Sequence, residues 1–182
     1  MKVVATGIPE VLVFEPAAHG DHRGYFLETW RADIFAAAGV DLSFVQENQS
    51  SSGCGVLRGL HYQIRQPQGK LVRVISGRVF DVAVDLRRGS PTFGRWAGVE
   101  LSAANHRLFW VPPGFGHGFY VLSEQAEFVY KCTDYYAPQH ERVIRYDDPD
   151  LGIVWPLAAG QPPVLSEKDL KGSTFAAAEV FA

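Results

Sequence analysis

The chain has 182 residues, 47% of them hydrophobic and 20% charged, with a net charge of −3. That length and balance describe a folded chain able to bury a sizeable core, and they exclude disordered and fibrous classes. The weak negative charge gives no broad reason to bind nucleic acid or an acidic membrane, so an anionic ligand needs a local basic pocket.

Two cysteines, Cys54 and Cys132, are too few for a disulfide framework. Met1 leads directly into Lys2-Val3-Val4-Ala5 without a signal-like apolar stretch, and no run approaches the roughly eighteen apolar residues of a membrane span. The expectation is a cytoplasmic protein forming one domain over residues 1–182, with an N-terminal strand extension and a C-terminal wrapping segment.

Turn residues in short clusters, between brief aromatic and β-branched runs, predict an all-β sandwich or barrel with short flanking helices. Val11 to Phe14 reads as a strand, Gly20 to Gly24 as a turn, and Tyr25 to Trp30 as a second strand. Arg31 to Ala38, closed by Gly39, is the internal helix. Phe44 to Asn48 reads as strand, and Gln49 to Gly55, with three serines and two glycines, as a loop.

A steady beat of strands follows: Leu71 to Ile75, Val79 to Leu86, Trp96 to Leu101, Leu108 to Val111, Gly118 to Leu122 and Ala126 to Thr133. In Val79 to Leu86 the apolar Phe80, Val82, Val84 and Leu86 share one face, and Asp81, Ala83 and Asp85 the other. Asp85 is expected to be a surface partner of Arg87 or Arg88. Beyond Pro149 the beat stops, and a wrapping tail precedes a short helix at Ser166 to Lys171.

The stretch Gly55 to Gly77, GVLRGLHYQIRQPQGKLVRVISG, carries the strongest chemical signal. It resembles the first cupin motif, in which a glycine and five residues precede His-x-His, and a glutamate precedes six residues and a glycine. Gly55 and Gly77 keep that spacing about His61 and Lys70. Gln63 replaces the second histidine and Lys70 the glutamate, and an ammonium repels a divalent ion. The motif therefore points to acid–base chemistry in a cavity that in relatives holds metal. Pro112-Pro113-Gly114-Phe115-Gly116-His117 resembles the second cupin motif, which in a jelly-roll barrel faces the first.

GVLRGLHYQ, QGKLVRVISGRVFDVAVDLRRGSPTFGRW, LSAANHRLFWVPPGFGHGF, AEFVYKCTDYYAP and LSEKD together resemble the dTDP-4-dehydrorhamnose 3,5-epimerase family, from about Ile8 to Asp169. The resemblance implies a cupin-type jelly roll, a dTDP-4-keto-6-deoxyhexose substrate, no metal or other cofactor, and a homodimer in which N-terminal strands complete the partner's site. It implies His61 as base, Asp169 as its partner, Lys70 beside the C4 oxygen, and Tyr130 as the group returning a proton. It also implies Arg23 and Arg58 for the diphosphate, Tyr25 and Tyr135 for the pyrimidine, and Glu28, Gln46, Asn48 and His117 as polar cavity positions.

Some residues carry a second reading. Ser166-Glu167-Lys168-Asp169 is a capping-box pattern, in which the acid serves the helix end. Tyr130 shares strand parity with Phe128 and Cys132 and so also suits the core. Strict alternation sends Arg58 and His61 to opposite faces, so both reach one ligand only if the strand kinks near Gly59, or if Arg58 acts from its end or from a neighbouring subunit. The rival functions are epimerisation at one centre, ketoisomerisation, and nucleotide-sugar binding without catalysis.

Overall fold

The computed structural model describes residues 1–182. Strands β1 (Lys2–Ala5), β2 (Leu12–Glu15), β3 (Ala18–Asp21) and β4 (Gly24–Leu27) precede helix α1 (Ala32–Ala37). Then come β5 (Gln46–Gly53), β6 (Leu57–Gln63), β7 (Lys70–Ser76), β8 (Arg78–Asp85), β9 (Trp96–Ser102), β10 (Leu108–Val111), β11 (Phe115–Val121) and β12 (Gln125–Cys132). A short β13 (Glu141–Val143) and helix α2 (Glu167–Leu170) complete the chain's named elements.

Six strands form one sheet in the order β1-β2-β10-β7-β12-β5, and five form a second in the order β13-β6-β11-β8-β9. The strand pairings within both are antiparallel, and the sheets face one another as a cupin-type jelly roll. Strands β3 and β4 pair only with each other, as a separate hairpin. No helix is long and apolar enough to cross a membrane.

Alternation explains how the core divides. Val72, Val74 and Phe128 of the first sheet meet Ala83, Phe115, Phe119 and Val121 of the second inside the barrel. The opposite face of the second sheet, with Leu57, Leu60, Val82, Val84 and Leu86, packs against Ile144, Leu151 and Trp155. Isolated bridges pair Val56 with Val164, Ile144 with Ser173 and Arg87 with Phe181, holding the segment beyond Pro149 against this face. Helix α1 covers the outside of the first sheet, where Phe35 stacks on Phe14 with ring centres 4.0 Å apart.

Three expectations need correction. Gln49 to Gly53 is strand, not loop: β5 pairs with β12 from Gln46 opposite Cys132 to Gly53 opposite Gln125. Its serines and glutamines suit an edge strand with little apolar burial, and cross-strand hydrogen bonds outweigh composition there. The strand expected to run to Trp30 ends at Leu27, where its hairpin partner ends. Asp85 does bond Arg87, but within the protein: it is fully buried and accepts from Arg87, Ser90 and Thr92. Burial pushes its carboxyl up, and those donors outweigh it to hold the group at about 2.

Candidate active site

The site begins with an irregularity in β6. His61 lies opposite His117 on β11, whereas Arg58 lies opposite Phe119, so three steps on β6 match two on β11. The extra residue is a β-bulge, and it reverses side-chain parity along the strand. Leu57 and Leu60 consequently share the outer core, and Arg58 and His61 share the inner side. Glycines permit the approach of the two backbones: a Cβ on Gly59, where φ is +112°, would lie 2.5 Å from the His117 carbonyl oxygen. The kink near Gly59 required for Arg58 and His61 to meet one ligand is therefore present.

His61 Nε2 lies 2.7 Å from Oδ1 of Asp169, which also accepts the Gly59 N–H at 3.1 Å. Asp169 bonds the imidazole and caps α2 at once. Its Oδ2 accepts from Ser166 Oγ and from the Ser166 N–H, while its own N–H donates to Ser166 Oγ, which completes the capping box of α2. Burial pushes the Asp169 carboxyl up, but bonds from His61, Ser166 and Gly59 outweigh it and hold the group at about 2. An ionised carboxylate only accepts, so Nε2 carries a proton, and in the neutral ring the lone pair is on Nδ1.

A cavity of about 290 Å³ opens beside His61, lined by Lys70, Tyr130, Gln46, Asn48, Gln63, Gln68, Tyr136 and Glu141 among others. His61 belongs to the second sheet, and Lys70 and Tyr130 to the first, so the ring and the phenol reach this space from opposite walls. Burial lowers the Lys70 ammonium from its ordinary value, against the opposing fields of Cys132, Asp81 and Glu141. Burial raises the Tyr130 hydroxyl, so the phenol keeps its proton at neutral pH. Such a set can take a proton at one face of a ligand, hold developing negative charge, and give a proton at the other.

His117 lies behind this wall instead of on it. Its ring is buried beside Phe128, with Nε2 2.9 Å from Oδ1 of the fully buried Asp81. Burial raises the Asp81 carboxyl, and the charges of His117 and Lys70 oppose that rise. His117 is thus a correction to the expected polar wall position: its register on a central strand, between β6 and β8, gives it to the interior.

The nucleotide side also differs from expectation. Tyr135 is 62% exposed and outside the cavity, whereas its neighbour Tyr136 lines it and donates its hydroxyl to Glu141 at 2.9 Å. Beyond β12 the chain has no strand alternation, so nothing in the sequence tells which of two adjacent tyrosines turns inward. Glu141, which also receives Lys168 at 2.6 Å, and Gln68 were not anticipated: Glu141 falls in no motif, and Gln68, although it opens the QGKLV stretch, has no role that the resemblance implies. Gln63 was visible only as the residue replacing a metal ligand. Arg58 reaches Ser52 Oγ at 3.1 Å and lines, with His61 and Asp169, a second cavity of about 470 Å³.

Arg23, Tyr25 and Glu28 do not join the cavity within this chain. Arg23 pairs with Asp21, Tyr25 rests on His106 and is 64% exposed, and Glu28 pairs with Arg31. All three belong to the β3–β4 hairpin and its exit.

The model of the dTDP-4-dehydrorhamnose 3,5-epimerase family matches residues 5–177. The Pseudomonas aeruginosa protein of that name is 59% identical over 182 residues, covering 100% of this chain and 99% of its own. A crystal structure of the epimerase RmlC from Legionella pneumophila, in complex with dTDP-4-keto-L-rhamnose, aligns with a TM-score of 0.94 and 52% identity, covering 98% of this chain and 94% of that one. ChmJ, a 3'-monoepimerase from Streptomyces bikiniensis in complex with dTDP-quinovose, aligns at 0.87 and 39% identity, covering 94% and 87%. Family model, relatives and fold agree along nearly the whole length, and the chain belongs to the dTDP-4-dehydrorhamnose 3,5-epimerase family.

Proposed function

We propose that this protein is an isomerase that epimerises dTDP-4-dehydro-6-deoxy-D-glucose at C3 and C5, giving dTDP-4-dehydro-L-rhamnose for dTDP-L-rhamnose synthesis. The observation that carries this reading is one cavity lined by the Asp169-bonded His61 and, from the facing sheet, Lys70 and Tyr130.

The ketone at C4 acidifies the protons on C3 and C5. His61 takes one of them through Nδ1, and the Asp169 carboxylate stabilises the imidazolium that forms. The electron pair moves onto the C4 oxygen, where the Lys70 ammonium offsets the charge. Tyr130, protonated at neutral pH, returns a proton from the opposite face, and the centre is inverted. The imidazolium and the phenolate then exchange protons with solvent before the second centre reacts.

The protein acts as a homodimer in this reading. The β3–β4 hairpin supports it: the hairpin pairs with no other strand of its own chain and exposes Tyr25 and Phe26 at 64% and 72%. Exchanged onto a partner, it would bring Arg23, Tyr25 and Glu28 to a diphosphate and base that one chain alone does not fully enclose. The two cysteines, both free, suit a cytoplasmic setting.

A second reading, inversion at one centre only, is favoured by the likeness to the 3'-monoepimerase. Incubation with the substrate in heavy water, followed by proton NMR, separates the two. Deuterium at both C3 and C5 is expected. Deuterium at a single position supports the second reading, and none at either leaves a binding protein.

A further inference from the structure

We infer that Gln63 is a positioning residue that holds one wall of the cavity in shape, gripping the backbone on either side of Tyr136 so that this ring faces the ligand. The inference rests on the function proposed above and deepens it. Gln63 follows His61 by two positions on the same face of β6 and is buried. Its amide meets backbone at every bond it makes. Nε2 donates to the Gln66 carbonyl at 2.7 Å and to the Tyr135 carbonyl at 3.2 Å, and Oε1 accepts the Ala137 N–H at 2.8 Å.

The residue between is held by a second glutamine. Gln46 Oε1 accepts the Tyr136 N–H at 2.9 Å, so two side chains hold three consecutive residues by their backbone. Asp134 to Ala137 lies beyond the end of β12 and has no ladder of its own, which makes these bonds its main restraint. The bond to Gln66 extends the same grip to the connector before β7, whose Gln68 lines the cavity and donates to the Asp134 carbonyl at 2.8 Å. A neutral amide alone offers two donors and an acceptor from one end, and this site uses all three roles. Tyr136 is an aromatic wall outside the proton-moving set, and a flat pyrimidine is the part of the ligand that suits it. A wall ordered beforehand spares the ligand the cost of ordering it.

The test compares wild type with Gln63→Glu and Gln63→Met, using dTDP as probe in calorimetry, together with turnover and thermal unfolding. In Gln63→Glu a carboxylate would face two carbonyl oxygens, so the Kd for dTDP and the KM should rise about tenfold or more. The kcat at saturation should stay within about threefold, because the reacting groups are untouched. As the pH is lowered toward about 5, a buried carboxyl regains a proton and a donor. The Gln63→Glu to wild-type ratio of Kd should then shrink, while that of Gln63→Met stays flat. Unchanged dTDP affinity in both variants overturns the inference. So does a kcat that falls in step with thermal stability, with a ratio insensitive to pH, because Gln63 then merely supports the fold. Wild-type protein that binds no dTDP overturns the proposed function itself, and the inference with it.

Discussion

Arg58 and His61 project to the same side of β6 although three positions separate them, because one bulged residue between them shifts the register against β11. Without the bulge, Arg58 would turn toward the outer core and Leu57 away from it, or His61 would leave the cavity, so the shared side of Arg58 and His61 depends on that parity change. Gly59 makes it possible, having φ of +112° and no room for a side chain against His117 and Gly118. Gly59→Ala should therefore cost about 2–4 kcal/mol of stability and lower turnover more than tenfold. Urea unfolding and steady-state rates check this, and wild-type values for both would remove the bulge from the account.

Asp169 links helix capping to the imidazole, and that linkage has a pH signature. Its carboxyl is held at about 2 in the folded chain against an ordinary 3.8. A depressed folded value means the unfolded chain binds the proton more readily, so this stabilisation is complete above about pH 4 and is lost as pH falls toward about 2. The size is roughly 2 kcal/mol, from about 1.4 kcal/mol per pH unit of displacement. Asp85, also held at about 2, contributes in the same window. Asp169→Asn should thus keep a shallower acid dependence than wild type in urea titrations from pH 6 to pH 3. Superimposable slopes would mean that the bonds to His61, Ser166 and Gly59 do not set the carboxyl's affinity for protons.

His61→Ala should abolish solvent deuterium incorporation at both carbons while leaving dTDP affinity within about threefold, since the proposed role of the ring is proton removal from the sugar and not contact with the nucleotide. NMR exchange and calorimetry read the two properties separately. Exchange at the wild-type rate would take His61 out of the mechanism.

Tyr130→Phe should impair inversion more than proton removal. His61 and Lys70 remain, so the enolate still forms and deuterium still enters from the His61 side, but yield of inverted product should fall by about a hundredfold. Equal loss of exchange and inversion would count against a proton donated from the facing sheet.

Much of the fold was legible from local pattern. The clean alternation of Val79 to Leu86 sorts its residues correctly between barrel interior and tail, and the Ala and Phe spacing before Gly39 marks α1. The polar edge strand β5 was not legible, because Ser50, Ser51 and Ser52 have no strand pattern apart from the partner β12 that pairs with them. Among the residues that line or flank the cavity, His61 and Lys70 were marked by motif spacing, and Tyr130 and Asp169 by the family resemblance alone, Asp169 with an equally good capping role. Glu141 and Tyr136 were missed: Glu141 reaches the cavity from the three-residue strand β13, which shows only through its pairing with β6, and Tyr136 from a loop that no periodicity encodes.

The sequence by itself determined which residues could be strand, which glycines had to break one, and which titratable groups sat at the spacing of a cupin motif. These are short-range properties, fixed by backbone sterics and side-chain alternation. Only the tertiary structure decided that a bulge turns Arg58 inward, that His117 sinks beneath the wall with Asp81, and that Tyr136 rather than Tyr135 lines the cavity. Those outcomes depend on which strand lies alongside and how its register falls, a balance of long-range pairings that no local stretch contains.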